Sequence, residues 1–121
     1  QCAEIVFGQS LLKLGSMIYI YGLEADEKAH NRYLLLARVQ EDRLEDFDAW
    51  RFYSDGKWQT DFTKASRLAD HFGAEFSVSY QPALHNYVAI YTENGLSKNI
   101  MSRFAAAPEG PWSKPRITYN L

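Results

Sequence analysis

Residues 76–112 read FSVSYQPALHNYVAIYTENGLSKNIMSRFAAAPEGPW, and after Pro115 the chain continues RITYN. FSVSYQPA, NYVAIYT and NIMSRFAA are short runs rich in β-branched and aromatic residues, each bounded by residues that favour turns. The segment that begins at Pro115 reads as a fourth strand of the same kind. The stretch is therefore one four-stranded antiparallel sheet written out in order, and the first half of the chain repeats its pattern.

Phe7-Gly8-Gln9-Ser10 stands beside Phe76-Ser77-Val78-Ser79, and Leu14-Gly15-Ser16 before IYIYG stands beside Leu84-His85-Asn86 before YVAIYT. Tyr21 then corresponds to Tyr91, and Leu34–Arg38 falls opposite Asn99–Arg103. In each copy a tryptophan, Trp50 or Trp112, follows after the arginine. Two diverged copies of a four-stranded unit are the pattern of consecutive propeller blades. An antiparallel sandwich with hairpins of similar composition is the alternative. The expected fold is all-β, a β-propeller segment of two consecutive four-stranded antiparallel blades over about residues 5–60 and 75–120, the whole chain 1–121 forming part of one domain.

The runs IYIYG, LLLARV, AWRFY, EFSVSY, YVAIYT, IMSRFA and PEGPWS resemble the five-bladed β-propellers of carbohydrate-active enzymes. The chain is most similar to the secreted bacterial domain family of unknown function numbered 4185, some of whose members are glycoside hydrolases acting on arabinan-type polysaccharides. That family is distantly similar to glycoside hydrolase family 43. The resemblance covers nearly the whole chain but only about two blades. It implies a glycoside hydrolase-like protein acting on a polysaccharide, secreted or periplasmic, with the remaining blades or self-association completing the body. A non-catalytic propeller segment that binds glycan or protein is the alternative.

Composition agrees with such a body. Net charge is -2 and no basic stripe is present, so a nucleic-acid partner is not expected. Aromatics make up 15 % of the residues, with eight tyrosines and three tryptophans. They suit strands and cores first, and one or two of them suit stacking on the apolar face of a sugar ring. A single cysteine, Cys2, excludes an intrachain disulfide and lacks neighbours for metal or redox chemistry. The start at Gln1-Cys2 without methionine is expected of a cleaved or partial chain. No apolar run approaches the ~20 residues that span a bilayer.

In chain order, Ile5–Leu14 and Ser16–Tyr21 read as a hairpin around Gly15-Ser16. Gly22 is expected to open a long polar loop through residues 23–31, rich in charge. Tyr33–Val39 is the third strand, residues 41–48 an acidic linker or single helical turn, and Ala49–Tyr53 the outer strand. The carboxylates of residues 41–48 lack the alternate spacing and glycine of a calcium loop, so no metal is expected. Asp55-Gly56 is a strong turn signal, and Trp58 caps the outer strand. Residues 61–72 cross from the outer edge of one blade to the centre of the next, or form a short helix.

His71, Gly73 and Glu75 arrive just before the second first-in-order strand. In family 43-like enzymes the catalytic acids stand on the innermost strands of successive blades, so the resemblance singles out Glu75 as a candidate catalytic acid. It singles out His71 as a candidate substrate-binding residue. The catalytic role requires a raised pKa, which burial and a neighbouring carboxylate supply; the bland alternative is an exposed glutamate at a strand start. Arg38 and Arg103 occupy matching points, and recurrence argues for a scaffold role, each bonding carbonyls or a carboxylate with its stem on an aromatic ring. No cofactor is expected, because phosphate loops, nucleophile elbows, paired cysteines and histidine pairs at ligand spacing are all absent from the sequence.

Overall fold

The computed structural model describes residues 4–92 and 99–120, so Cys2 lies outside the described residues. The first sheet is a meander of β1 (Glu4–Leu14), β2 (Met17–Asp26), β3 (Asn31–Gln40), β4 (Arg51–Ser54) and β5 (Lys57–Gln59). The second is a meander of β6 (Phe76–Gln81), β7 (Asn86–Thr92), β8 (Asn99–Ala105) and β9 (Arg116–Asn120). All pairings are antiparallel. Helical structure among the described residues is confined to single 3-10 turns at 41–43, 47–49, 62–64 and 82–84. The chain is all-β with two antiparallel sheets. The first has five strands rather than four, because the Asp55-Gly56 turn, with φ of 49° and 82°, folds Lys57–Gln59 back onto β4 instead of ending the sheet.

The β2–β3 and β7–β8 pairings are alike at the matched positions. Tyr21 faces Leu36 and Tyr19 faces Arg38 in the first sheet; Tyr91 faces Met101 and Ala89 faces Arg103 in the second. The first strands depart from the expected alignment. A β-bulge lies between Phe7 and Ser10, with Gly8 at φ 111°, so Ser10 sits opposite Tyr21 while Phe76 sits opposite Tyr91. Ser10, not Phe7, is thus the register counterpart of Phe76.

Gly22 opens no loop. It lies in the middle of β2, and β2 and β3 remain paired from Met17↔Gln40 to Asp26↔Asn31. Leu23 and Leu34 are buried at this point, and their burial outweighs the polarity of the residues that follow. The glycine is needed for close approach: a Cβ there would meet the Val6 carbonyl oxygen and lie 2.9 Å from the Phe7 Cα. The tip shrinks to residues 27–30, closed by Ala29 N–H donating to Asp26 Oδ1 at 3.2 Å and His30 N–H to the Glu27 carbonyl at 3.3 Å.

The main core forms where the two sheets face each other. Tyr21, Leu23, Leu34 and Leu36 from the first meet Val78, Ala89, Tyr91 and Met101 from the second, with Ala69 and Phe72 of the crossing segment between them. Burying such side chains contributes about 1.5–3 kcal/mol each. The crossing is extended over residues 65–69, bends at 70–71 and 74–75, and adds itself to the edge of β3. Leu68 N–H donates to Leu34 O at 2.8 Å, Leu34 N–H to Ala69 O at 2.9 Å, and Phe72 N–H to Arg32 O at 3.1 Å. Phe72 then stacks on Tyr91 at 3.9 Å with the rings 12° apart. A smaller cluster of Ile20, Ala37, Val39 and Phe52 covers the other face of the first sheet. The first strands of the two sheets lie against each other, and Val78 N–H donates to Ser10 Oγ at 3.0 Å across that seam.

Candidate functional site

The crossing segment delivers His71 and Glu75 to the end of the seam where β6 begins. His71 is held by its backbone, in the left-handed region at φ 59°, with its N–H donating to Asn31 Oδ1 at 2.7 Å. Its side chain is exposed, with Nδ1 3.3 Å from Asp70 Oδ2. Gly73 is buried tightly against the Thr92 carbonyl. Glu75 is exposed and has no hydrogen bond or ion pair among the described residues.

A small cavity of about 150 Å3 opens at this end, and Glu4, Gln9, Arg32 and Ala74 contribute to its lining. The Gln9 Oε1 atom is buried there without a hydrogen-bond donor, an acceptor left over by the bulge that turns this part of β1. Ala74 brings the chain to the cavity, but neither His71 nor Glu75 lines it. The structure therefore places the two candidate residues at one end of the seam, with no hydrogen bond or ion pair between them among the described residues.

The polar centre of the interior is Arg103. The residue is 6 % exposed. It donates from Nη2 to Asp70 Oδ1 at 2.7 Å and to Asp70 O at 2.9 Å, from Nε to Tyr91 Oη at 2.9 Å, and from Nη1 to Ser113 O at 3.3 Å. Burial alone would raise the Asp70 carboxyl. The hydrogen bonds and charge of Arg103 and His71 outweigh it and hold the carboxyl below its ordinary value. Arg38, at the matching point, lies 4.0 Å over the Trp58 ring and reaches Tyr19 Oη at 3.4 Å. Trp58 of β5, rather than Trp50, is thus its aromatic partner.

A larger cleft of about 730 Å3 lies away from the seam, between the β4–β5 turn, the crossing segment and the loop of residues 106–115. Tyr53, Asp55, Arg67, Glu109 and Trp112 line it. In the sequence PEGPWS stands among the runs that carry the family resemblance, and Asp55-Gly56 is a turn signal. The sequence does not join them, because their proximity depends on how the two sheets pack. Behind this loop the Tyr21 hydroxyl donates to Pro108 O at 2.7 Å, and burial first, with the charge of Glu109 among lesser causes, pushes the phenol well above its usual range.

Among the described residues no three His, Cys, Asp or Glu side chains stand close enough to hold a metal ion. No helix among them is long and apolar enough to cross a membrane. No curated protein matched the chain. The family described as domain of unknown function (DUF4185) matches residues 4–120, all but the ends of a sequence of 121. The chain belongs to that family.

Proposed function

We propose that the chain forms two blades of a propeller in a carbohydrate-active protein, glycoside hydrolase-like, secreted or periplasmic, and acting on a polysaccharide. The observation that carries the reading is the seam. The first strands of two successive antiparallel sheets lie together, joined by Val78 N–H to Ser10 Oγ, while the sheets pack face to face. Blades around a common axis require that arrangement. On this reading the start of β6 lies at the mouth of the axial channel. Glu75 there donates a proton to the leaving sugar oxygen, and His71 hydrogen-bonds the substrate.

A non-catalytic glycan- or protein-binding propeller is the second reading. It is favoured by the exposure of Glu75 and by the absence of a hydrogen-bond or ion-pair partner for its carboxylate among the described residues. Turnover of arabinan, xylan and mannan by the protein with its remaining blades separates the two. Glu75→Gln is expected to lower turnover by about 100-fold or more, the scale of general acid catalysis. Its melting temperature should stay close to the wild type's, because the residue is exposed. Full activity in the variant removes Glu75 from the site.

A further inference from the structure

We infer that the cleft between the β4–β5 turn and the 106–115 loop is a saccharide-binding site separate from the seam, built to hold a neutral sugar ring. The saccharide class rests on the carbohydrate reading above; the site itself rests on the chemistry of its walls. Its volume, about 730 Å3, falls within the roughly 300–1,000 Å3 of small-molecule sites.

Those walls alternate the groups a sugar requires. Tyr53 and Trp112 supply aromatic surface for the apolar face of a ring. Asp55 and Glu109 supply carboxylates that have no ion-pair partner among the described residues and accept from vicinal hydroxyls. Arg67 spends Nε and Nη2 on Glu24, at 3.0 and 2.9 Å, which leaves its Nη1 hydrogens without a described acceptor. Two free carboxylates, beside a guanidinium already neutralised by Glu24, disfavour a phosphate or sulfate ligand.

The cleft is also preformed. Asp55 N–H donates to Ser66 Oγ at 2.8 Å and Ser66 N–H to Tyr53 O at 2.8 Å, fixing one wall. Gly110 fixes the other. It sits at φ 109°, donates its N–H to Ala107 O at 3.0 Å, and would place a Cβ 2.9 Å from the Trp112 backbone nitrogen. Walls held this way lose little freedom when a ligand enters.

Affinity electrophoresis of the whole chain through gels containing soluble arabinan, xylan or mannan tests the site. The wild type is expected to be retarded by at least one of the three. Glu109→Gln and Asp55→Asn should each weaken that retardation about tenfold or more, the effect of losing a hydrogen bond to a charged group. Glu45→Gln, which removes an exposed charge outside the cleft, should be retarded as strongly as the wild type when each is compared with its own mobility in a gel without polysaccharide. Melting curves show whether each variant is folded. Retardation of both cleft variants equal to the wild type's, or no retardation of the wild type in any gel, overturns the proposal. The enzymatic reading is scored separately by turnover. A protein that cleaves without being retarded overturns the cleft alone, and one that is retarded without cleaving overturns only the enzymatic reading.

Discussion

Arg103 joins β7, β8, the crossing segment and the 106–115 loop through one guanidinium. A buried charge is costly unless its hydrogens are satisfied, and here Asp70 supplies both a carboxylate and a carbonyl. The Asp70 carboxyl is held below its ordinary value, so the folded chain binds a proton there less readily than the unfolded chain does. Its contribution to stability is therefore fully present above the unfolded pKa of about 3.9 and is lost as pH falls through the lower folded value. Asp70→Asn is expected to lower the melting temperature at pH 7 and to show a shallower further loss than the wild type between about pH 5 and pH 3. Scanning calorimetry across that range checks this, and parallel acid slopes for the two proteins would overturn it. The matching positions of Arg38 and Arg103 were legible in the sequence, as was the scaffold role of Arg103. Their different partners were not. The crossing brings Asp70 to Arg103, whereas β5 brings Trp58 to Arg38, and both placements depend on pairings between distant segments.

The crossing segment is the element that turns two sheets into one core. It attaches to β3 through backbone hydrogen bonds, inserts Ala69 and Phe72 between the sheets, and passes Thr92 at Gly73 with no room for a side chain. An added Cβ at Gly73 would collide with the Thr92 carbonyl oxygen, which belongs to the backbone of a paired strand and has little freedom to yield. Gly73→Ala is expected to cost about 1–3 kcal/mol, the range of overpacking in a well-filled interior. At roughly 4 °C per kcal/mol its thermal transition should move down measurably, and melting within a degree of the wild type would count against the close approach. Most strands were visible in the sequence because alternation and turn residues are local signals. The bulge at Gly8, the continuation of β2 beyond Gly22 and the extra strand β5 were not, because each is decided by what lies across the sheet. The crossing was read correctly as a crossing, yet its attachment to β3 has no local signature at all.

Taken as a whole, the molecule leaves apolar surface on both outer faces and unpaired backbone along its edges. On the first sheet Phe47 and Phe62 are 55 % and 40 % exposed, and with Ile5, Phe7 and Trp50 they surround an open cavity of about 300 Å3. On the second sheet Ile90 is 41 % exposed; it alternates with the core-facing Ala89 and Tyr91 and so points away from the first sheet. Among the described residues, β5 and β9 end their sheets without a strand beyond them. Contiguous apolar patches and open strand edges favour association, and in a propeller these are the surfaces neighbouring blades would cover. The chain by itself is therefore expected to self-associate as concentration rises, through its faces rather than through the main core. Phe47→Ser combined with Ile90→Lys should shift the sedimentation distribution toward monomer; neither side chain belongs to the main core, and the melting temperature is expected to fall only by the loss of the Phe47 ring contacts with Trp50 and Phe52. Sedimentation velocity over a hundredfold range of concentration distinguishes the outcomes. A wild type that stays monodisperse and monomeric at the highest concentration would show that the two sheets satisfy each other, and would remove the need for further blades.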